Sequence, residues 1–124
     1  MRVGSLFSGI GGFDLGLERA GHEVVWQVEI NAQCRCVLRR HFPGVPVLVD
    51  VRECGAHNLA PADIIAFGSP CQDLSVAGKR AGLQGSRSNL FYEAIRIVSE
   101  LRPAFAVWEN VPGALSSNAG RDFA

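Results

Sequence analysis

The chain has 124 residues, 48% of them hydrophobic, and its 12 basic side chains balance 12 acidic ones. This hydrophobic content excludes a disordered chain, and the length is that of one globular domain or part of a larger one. The formal net charge of zero excludes a strongly basic nucleic-acid-binding domain, so any contact with DNA is expected to be local.

The first half of the chain alternates short apolar runs with helical patterns. Residues 3–7 predict a strand that leads into a glycine-rich turn, and the helix after it has Phe13, Leu17 and Ala20 at helical spacing. A second strand is predicted over residues 23–29. Asn31 can cap a second helix that ends near Pro43, and its face is marked by Val37, Leu38 and His41.

The second half continues the same alternation. Strands are predicted over residues 45–49, 63–67 and 104–108, and residues 52–60 are too irregular to assign. Ser86 or Ser88 can cap a helix that ends at Pro103, and Pro112 can occupy the first turn of another. The stripe on the capped helix, which is typical of core packing, consists of Leu90, Ala94, Ile97 and Leu101. The whole pattern predicts an α/β fold, a Rossmann-like doubly wound parallel sheet.

The cysteines and the hydropathy pattern predict the cellular compartment in which the protein lies. Cys34, Cys36, Cys54 and Cys71 are irregularly spaced and form no Cys-x-x-Cys pair, so the pattern predicts neither a disulfide framework nor a zinc site. We expect the first three to be structural or incidental thiols in a reducing compartment. Since there is no leader and no apolar run of about 18 residues, we expect a soluble cytoplasmic protein that does not bind membranes.

Polar or reactive residues follow each of the five predicted strands directly or within a few residues. They are Ser8 with Gly9, Glu29, Asp50, Cys71 and Glu109. Ligands of doubly wound sheets bind beyond the carboxyl ends of the strands, so this placement predicts one shared site. Cys71 opens a glycine-rich loop, which is a position typical of a nucleophile, and a thiolate and the Glu109 carboxylate would share the crevice.

The residues after the first two strands suggest a nucleotide-like ligand. Glycines at positions 9, 11 and 12 do not match Gly-x-Gly-x-x-Gly, which weakens a dinucleotide site without excluding it. A carboxylate at Glu29 can accept both hydroxyls of a ribose, and Asp50 can meet an adenine amino group. A solvated strand end is the alternative for each acid.

Three segments, in this order and spacing, resemble the DNA cytosine-5 methyltransferases. They are Leu6-Phe7-Ser8-Gly9-Ile10-Gly11-Gly12-Phe13, Gly68-Ser69-Pro70-Cys71-Gln72-Asp73-Leu74-Ser75 and Glu109-Asn110-Val111. The resemblance implies the N-terminal part of a catalytic domain that uses S-adenosylmethionine. In that family the cysteine matching Cys71 attacks C6 of a flipped cytosine, and the glutamate matching Glu109 holds the N3 edge and supplies a proton there.

The resemblance also implies the remaining site residues. The cofactor would be held by Phe7, Ser8, Gly9, Ile10, Gly11, Gly12, Glu29, Ile30, Asp50, Val51, Pro70 and Leu90. Because the target base must leave the stack, the loop over residues 72–88 is expected to contact double-stranded DNA. Its DNA-binding candidates are Gln72, Ser75, Lys79, Arg80 and Arg87, for which solvated loop charges are the alternative.

Family members continue with a target recognition domain that residues 1–124 do not contain. We therefore expect this single portion of a catalytic domain to need a second polypeptide that supplies the C-terminal lobe, or to self-associate through an uncovered sheet edge. One alternative is a non-catalytic module that binds S-adenosylmethionine or a partner. Another is a nucleotide-dependent oxidoreductase of similar fold, which the pairing of Cys71 with Glu109 disfavours.

Overall fold

A five-stranded parallel sheet organises the part of the chain that the computed structural model describes, residues 1–68 and 89–109. The strands are β1 (Arg2–Leu6), β2 (Glu23–Val28), β3 (Val47–Leu48), β4 (Ile64–Gly68) and β5 (Phe105–Glu109). The helices are α1 (Gly12–Arg19), α2 (Ala32–His41) and α3 (Asn89–Leu101), with a 3₁₀ turn at Val51–Glu53. No described helix has the length and apolar character needed to cross a membrane.

The order of the strands in the sheet is β3-β2-β1-β4-β5, and every neighbouring pair is parallel. The chain therefore builds the sheet in one direction from β1 to β3 and in the other direction through β4 and β5. Doubly wound sheets bind their ligands where this reversal occurs, which here is between β1 and β4. The predicted α/β fold is confirmed.

The two faces of the sheet carry separate apolar cores. Ala94 and Ile97 of α3 are fully buried on one face, with Leu90 and Leu101 half-buried beside them, as the predicted stripe requires. On the other face, Leu38 of α2 and the adjacent Phe42 are buried with residues of β1, β2 and β4. Burial of apolar side chains on both faces is the main stabilising contribution to this layer.

Trp26 fixes the pairing of β1 with β2. The register shifts between Val3 and Gly4, and the Trp26 indole then lies over Gly4, where any Cβ would overlap it. The indole is 1% exposed, and its Nε1 donates to the carbonyl of Ala60 at 2.9 Å. Glycine in β1 therefore provides the room for a large side chain from the next strand.

Several predicted details were wrong. The third strand forms only over Val47–Leu48, and the predicted bounds of β1, β4 and β5 are shifted by one residue. On α1, Leu17 is half-buried against the core as predicted, but Phe13 and Ala20 are exposed and the buried residue is Asp14. His41 is exposed rather than packed. The cap at Ser86 or Ser88 and the helix at Pro112 lie outside the described residues.

Candidate functional site

The turn between β1 and α1 uses backbone conformations that ordinary residues seldom adopt. Phe7, Gly9 and Gly11 have φ angles of 55°, 59° and 88°. Gly11 donates to the Ser8 carbonyl at 3.0 Å, and the Ser8 N–H donates to the carbonyl of Val28 on β2 at 3.2 Å. A left-handed conformation at a non-glycine residue such as Phe7 costs energy and occurs most often at functional sites.

The glycines of this turn have different requirements. A Cβ on Gly11 would lie 2.6 Å from Cε2 of Phe42 and 2.9 Å from Cδ2 of Leu38, so the backbone packs directly on the core. A Cβ on Gly9 or Gly12 would meet nothing within 4 Å among the described atoms. The turn is thus anchored at Gly11 and open at Gly9 and Gly12, where a ligand can approach the backbone.

Glu29, the first residue after β2, is hydrogen-bonded to the turn. Its Oε1 accepts from the Gly9 N–H at 2.8 Å, and its Oε2 accepts from the Asn31 N–H at 2.8 Å. An ionised carboxylate has about four acceptor positions, so two remain for a ligand. One half-buried side chain therefore links the ends of β1 and β2 and keeps acceptor capacity at the sheet edge.

The backbone after β2 is held from α2. One guanidinium nitrogen of Arg35, Nη1, donates to the carbonyls of Glu29 at 3.1 Å and Ile30 at 2.6 Å. The Ile30 side chain is 63% exposed beside them. An apolar side chain held out at a sheet edge, next to free acceptor positions, suits the flat face of a ring.

Asp50 and Val51 lie at the end of β3. Asp50 caps the 3₁₀ turn by accepting from the Arg52 N–H at 2.9 Å, and it also binds the Arg52 guanidinium at 2.9 Å. These hydrogen bonds lower the pKa of Asp50. Val51 is only 4% exposed and belongs to the α3-side core, and its carbonyl accepts from the Cys54 N–H at 3.1 Å.

Glu109 lies at the end of β5, beside the strand that leads to Cys71. It pairs with Gly68 at the end of β4, and its Oε2 is 3.5 Å from the position that a Cβ on Gly68 would occupy. Glu109 is exposed. The structure therefore brings Glu109 to the same edge as Gly9, Glu29 and Asp50. The predicted site residues outside the described part are Pro70, Cys71, Gln72, Ser75, Lys79, Arg80 and Arg87.

Asp14, a carboxylate beneath the turn, was not predicted from the sequence. Asp14 is 1% exposed, and it accepts from Ser5 Oγ at 2.7 Å and from Gln27 Nε2 at 2.8 Å. Burial raises the pKa of Asp14, and the two hydrogen bonds oppose that rise. The feature of the sequence that could have indicated a buried polar partner such as Asp14 was Gln27, a polar residue inside an otherwise apolar strand.

Arg96 on α3 was missed as well, although it supports the segment after β3. Its Nη2 donates to the carbonyls of Val51 at 3.1 Å and Cys54 at 2.8 Å. Its other nitrogens bind Glu93 and Glu100 on the same helix. The Cys54 thiol beneath this segment is buried, and burial raises its pKa, as expected of a structural thiol.

Comparison with known proteins gives consistent matches over the whole chain. The profile of the family described as C-5 cytosine-specific DNA methylase matches residues 1–124. The chain is 41% identical over 125 residues to the Type II methyltransferase M2.BsuMI of Bacillus subtilis, covering 98% of this chain and 32% of that protein. It is 35% identical over 120 residues to the Type II methyltransferase M.HhaI of Haemophilus parahaemolyticus, covering 97% and 36% respectively.

Solved structures agree with the sequence matches. A crystal structure described as a DNA modification methyltransferase encoded within an E. coli prophage superimposes with a TM-score of 0.79 at 36% identity, covering 95% of this chain and 34% of that chain. The S. pombe Dnmt2 methyltransferase superimposes with a TM-score of 0.73 at 23% identity, covering 99% and 40%, and this second likeness concerns the fold alone. The chain thus spans about a third of the length of the relatives it matches.

Proposed function

Since the chain belongs to the C-5 cytosine-specific DNA methylase family, we propose that it is the cofactor-binding and catalytic part of a DNA cytosine-5 methyltransferase. The reaction transfers a methyl group from S-adenosylmethionine to C5 of a cytosine flipped out of double-stranded DNA. The observation that supports this most strongly is the convergence of Gly9, Glu29 and Glu109 at one sheet edge, on both sides of the point where the strand order reverses.

The described residues fit S-adenosylmethionine. Glu29 has two acceptor positions left for the ribose hydroxyls, and the backbone at Gly9 and Gly12 is open for close approach. The exposed Ile30 would lie against the adenine ring, with Asp50 toward its amino group. The rest of the proposed pocket consists of Phe7, Ser8, Ile10, Gly11, Val51, Pro70 and Leu90.

The proposed chemistry uses two side chains of this chain. Cytosine C5 is a poor nucleophile until another nucleophile adds at C6, so the Cys71 thiolate forms a C6–S bond while Glu109 supplies a proton at N3. When bound, S-adenosylmethionine supplies an electrophilic methyl group on a sulfonium centre. Transfer of the methyl group to C5 would leave the cofactor sulfur as a neutral thioether. C5 then loses its proton to a base, the C6–S bond breaks to return the Cys71 thiolate, and N3 returns its proton to Glu109.

DNA is the proposed macromolecular substrate, and base extrusion requires groups that hold the opened duplex. We assign this role to residues 72–88, in which Lys79, Arg80 and Arg87 would bind phosphates and Gln72 and Ser75 would donate or accept hydrogen bonds. A chain that acts on DNA inside the cell is also in a compartment where its cysteines stay reduced.

The second part of the proposal concerns the edge strand β5 and the part of the protein that packs against it. Among the described residues β5 forms one edge of the sheet, and Phe105 and Val107 on it are 54% and 38% exposed. The relatives are about three times as long as this chain. We propose that β5 packs against the C-terminal lobe of the methyltransferase, supplied by a second polypeptide or by further residues of the same one.

Titration calorimetry with S-adenosylmethionine, combined with a methyl-transfer assay on mixed-sequence DNA, tests the proposal. We expect the 124-residue chain to bind the cofactor and to transfer no methyl group until the C-terminal lobe is added. Absence of cofactor binding, both alone and with that lobe, would refute the proposal. Binding without transfer in the complemented form would instead favour the alternative of a non-catalytic S-adenosylmethionine-binding module.

A further inference from the structure

A buried carboxylate lies beneath the turn between β1 and α1 and has no part in the chemistry proposed above. Asp14, in the first turn of α1, is 1% exposed, and acidic side chains are almost never buried to this extent unless they are paired. Its partners are neutral. Ser5 of β1 donates to Oδ1 at 2.7 Å, and Gln27 of β2 donates to Oδ2 at 2.8 Å.

These partners are side by side in the sheet. Ser5 and Gln27 are paired in the register of β1 and β2, and they are 2% and 0% exposed. Together with Asp14 they form a polar cluster within a largely apolar face. Removing such groups from water costs free energy that their hydrogen bonds must offset, so a buried polar cluster is weak evidence for a contribution to stability.

The cluster continues into the turn through Ser8. Ser8 Oγ lies 2.8 Å from Ser5 Oγ and 3.3 Å from the Ser5 carbonyl oxygen. Because Ser5 gives its hydroxyl proton to Asp14, the single Ser8 hydroxyl proton is shared between Ser5 Oγ and the Ser5 carbonyl oxygen. The carboxylate of Asp14 therefore orients the Ser5 hydroxyl, and the Ser5 hydroxyl oxygen in turn is one of the two acceptors that hold Ser8.

Ser8 stands between two left-handed positions of the turn, Phe7 with a φ of 55° and Gly9 with a φ of 59°, and the conformation is costly at the non-glycine Phe7. The N–H of Gly9 is also the donor that meets the Glu29 carboxylate. Strained backbone persists only where surrounding contacts hold it in place. The hydrogen bonds that run from Asp14 to Ser8 provide such contacts from the buried side of the turn.

We propose that Asp14 is a positioning residue for the cofactor. Through Ser5 and Ser8 it holds the turn in the conformation in which the Gly9 N–H meets Glu29, and it thereby sets the affinity for S-adenosylmethionine. The proposal rests on the proposed function, since the affinity in question is that of the cofactor site. It assigns the effect to hydrogen bonding and not to the charge of Asp14.

Two substitutions separate hydrogen bonding from charge. Asp14→Ala removes every acceptor, and we expect the dissociation constant for S-adenosylmethionine to rise about tenfold, as for one lost hydrogen bond to a charged group. Asp14→Asn keeps an oxygen for Ser5, and its amide can donate to Gln27 once the Gln27 side chain rotates by a half turn. We expect this variant to bind within about threefold of the wild-type affinity.

Val24→Ala is the matched control. Val24 is 3% exposed near the start of β2, at the opposite end of the strand from the site. We expect this variant to lose stability without a change in cofactor affinity. Ser8→Ala leaves Asp14 with both of its partners, so it tests the link to the turn if Asp14→Ala does not fold. Because Ser8 also lies in the proposed cofactor pocket, the readout that tests the link in this variant is hydrogen exchange at Gly9 without cofactor, and not cofactor affinity.

Amide hydrogen exchange at Gly9, measured without cofactor, gives a second readout. We expect exchange to be faster in Asp14→Ala and Ser8→Ala and close to the wild-type rate in Asp14→Asn. Unchanged exchange and affinity in the alanine variants would overturn the proposal, and so would an Asp14→Asn variant as impaired as Asp14→Ala. If the wild-type chain binds no cofactor, the proposed function fails, whereas the exchange rates still decide whether Asp14 holds the turn.

Discussion

Replacing Glu29 with alanine removes the acceptor that joins the turn after β1 to the end of β2. Two backbone donors lose their partner at once, the N–H groups of Gly9 and Asn31, each of which lies 2.8 Å from a carboxylate oxygen. Hydrogen bonds to charged groups contribute about 1.5–3 kcal/mol each. Because the Asn31 donor is exposed, water replaces most of that bond, and we expect the free energy of unfolding to fall by about 2 kcal/mol.

The same substitution should weaken cofactor binding more than it weakens the fold. In the proposed site Glu29 accepts two ribose hydroxyls, and losing two such bonds at about 1.5 kcal/mol each, the lower end of that range, corresponds to a rise of at least about a hundredfold in the dissociation constant. Glu29→Gln keeps one acceptor oxygen where the carboxylate has two. Its losses in the free energy of unfolding and in the free energy of cofactor binding should therefore each be about half of those of Glu29→Ala.

Urea denaturation and titration calorimetry with S-adenosylmethionine measure the two effects. Glu23→Ala is the control, since Glu23 is an exposed acid at the start of β2 whose carboxylate bonds to no other described residue. Glu109→Ala should change cofactor affinity by less than about threefold, because Glu109 is assigned to the cytosine. The reasoning is refuted if Glu29→Ala binds the cofactor as tightly as the control, or if Glu109→Ala loses more affinity than Glu29→Ala.

Three further predictions concern other parts of the site. Gly11→Ala should lower the free energy of unfolding by about 2–5 kcal/mol, because it combines a left-handed backbone with overlap on Phe42. Gly9→Ala should lower it by only about 1–2 kcal/mol, because its Cβ would meet no described atom. Urea denaturation of both variants checks this order. Cys71→Ser should abolish covalent trapping on DNA containing 5-fluorocytosine in the complemented enzyme while leaving calorimetric cofactor binding unchanged. Asp14→Asn should alter the pH dependence of stability. Burial raises the pKa of Asp14 above its ordinary 3.8, so the folded wild type keeps a proton that the unfolded chain loses. Wild-type stability relative to Asp14→Asn should therefore fall as pH rises from 3.8 through the raised pKa, as measured by urea denaturation at several pH values.

A specific experimental result would contradict each of these three predictions. Equal losses for the two glycine variants would mean that the Phe42 contact adjusts without cost. Trapping by the Cys71→Ser protein would remove that residue as the nucleophile. A difference between wild type and Asp14→Asn that stays constant with pH would show that the carboxyl titrates alike in the folded and unfolded chains.

The fold could be predicted because its signals are local. Each buried strand is a short apolar run, and the α3 stripe repeats at helical spacing, so both patterns are visible in a few residues of sequence. The irregular segment after Asp50 could not be assigned because its support comes from Arg96, more than forty residues later in the chain. Only the folded chain shows that a guanidinium on α3 binds those carbonyls.

The candidate site was predictable for a different reason. In a parallel sheet, residues that follow different strands meet at one edge, so the placement of Glu29, Asp50 and Glu109 followed from topology. Asp14 was missed because Phe13 and Leu17 suggested an apolar inner face for α1. Its burial depends on Ser5 and Gln27, which only the pairing of β1 with β2 brings side by side.

The two tryptophans of the chain stand in surroundings that make them separate optical reporters. Trp26 is enclosed over Gly4 with its indole N–H bonded to Ala60, so its emission follows the integrity of the β1–β2 pair. Trp108 is half-buried on β5, with its ring centroid 4.6 Å from that of Phe91. Changing Trp26 to phenylalanine would leave Trp108, on the edge strand, as the single tryptophan of the chain. Quenching or a spectral shift of that fluorophore would then report directly when another polypeptide covers β5.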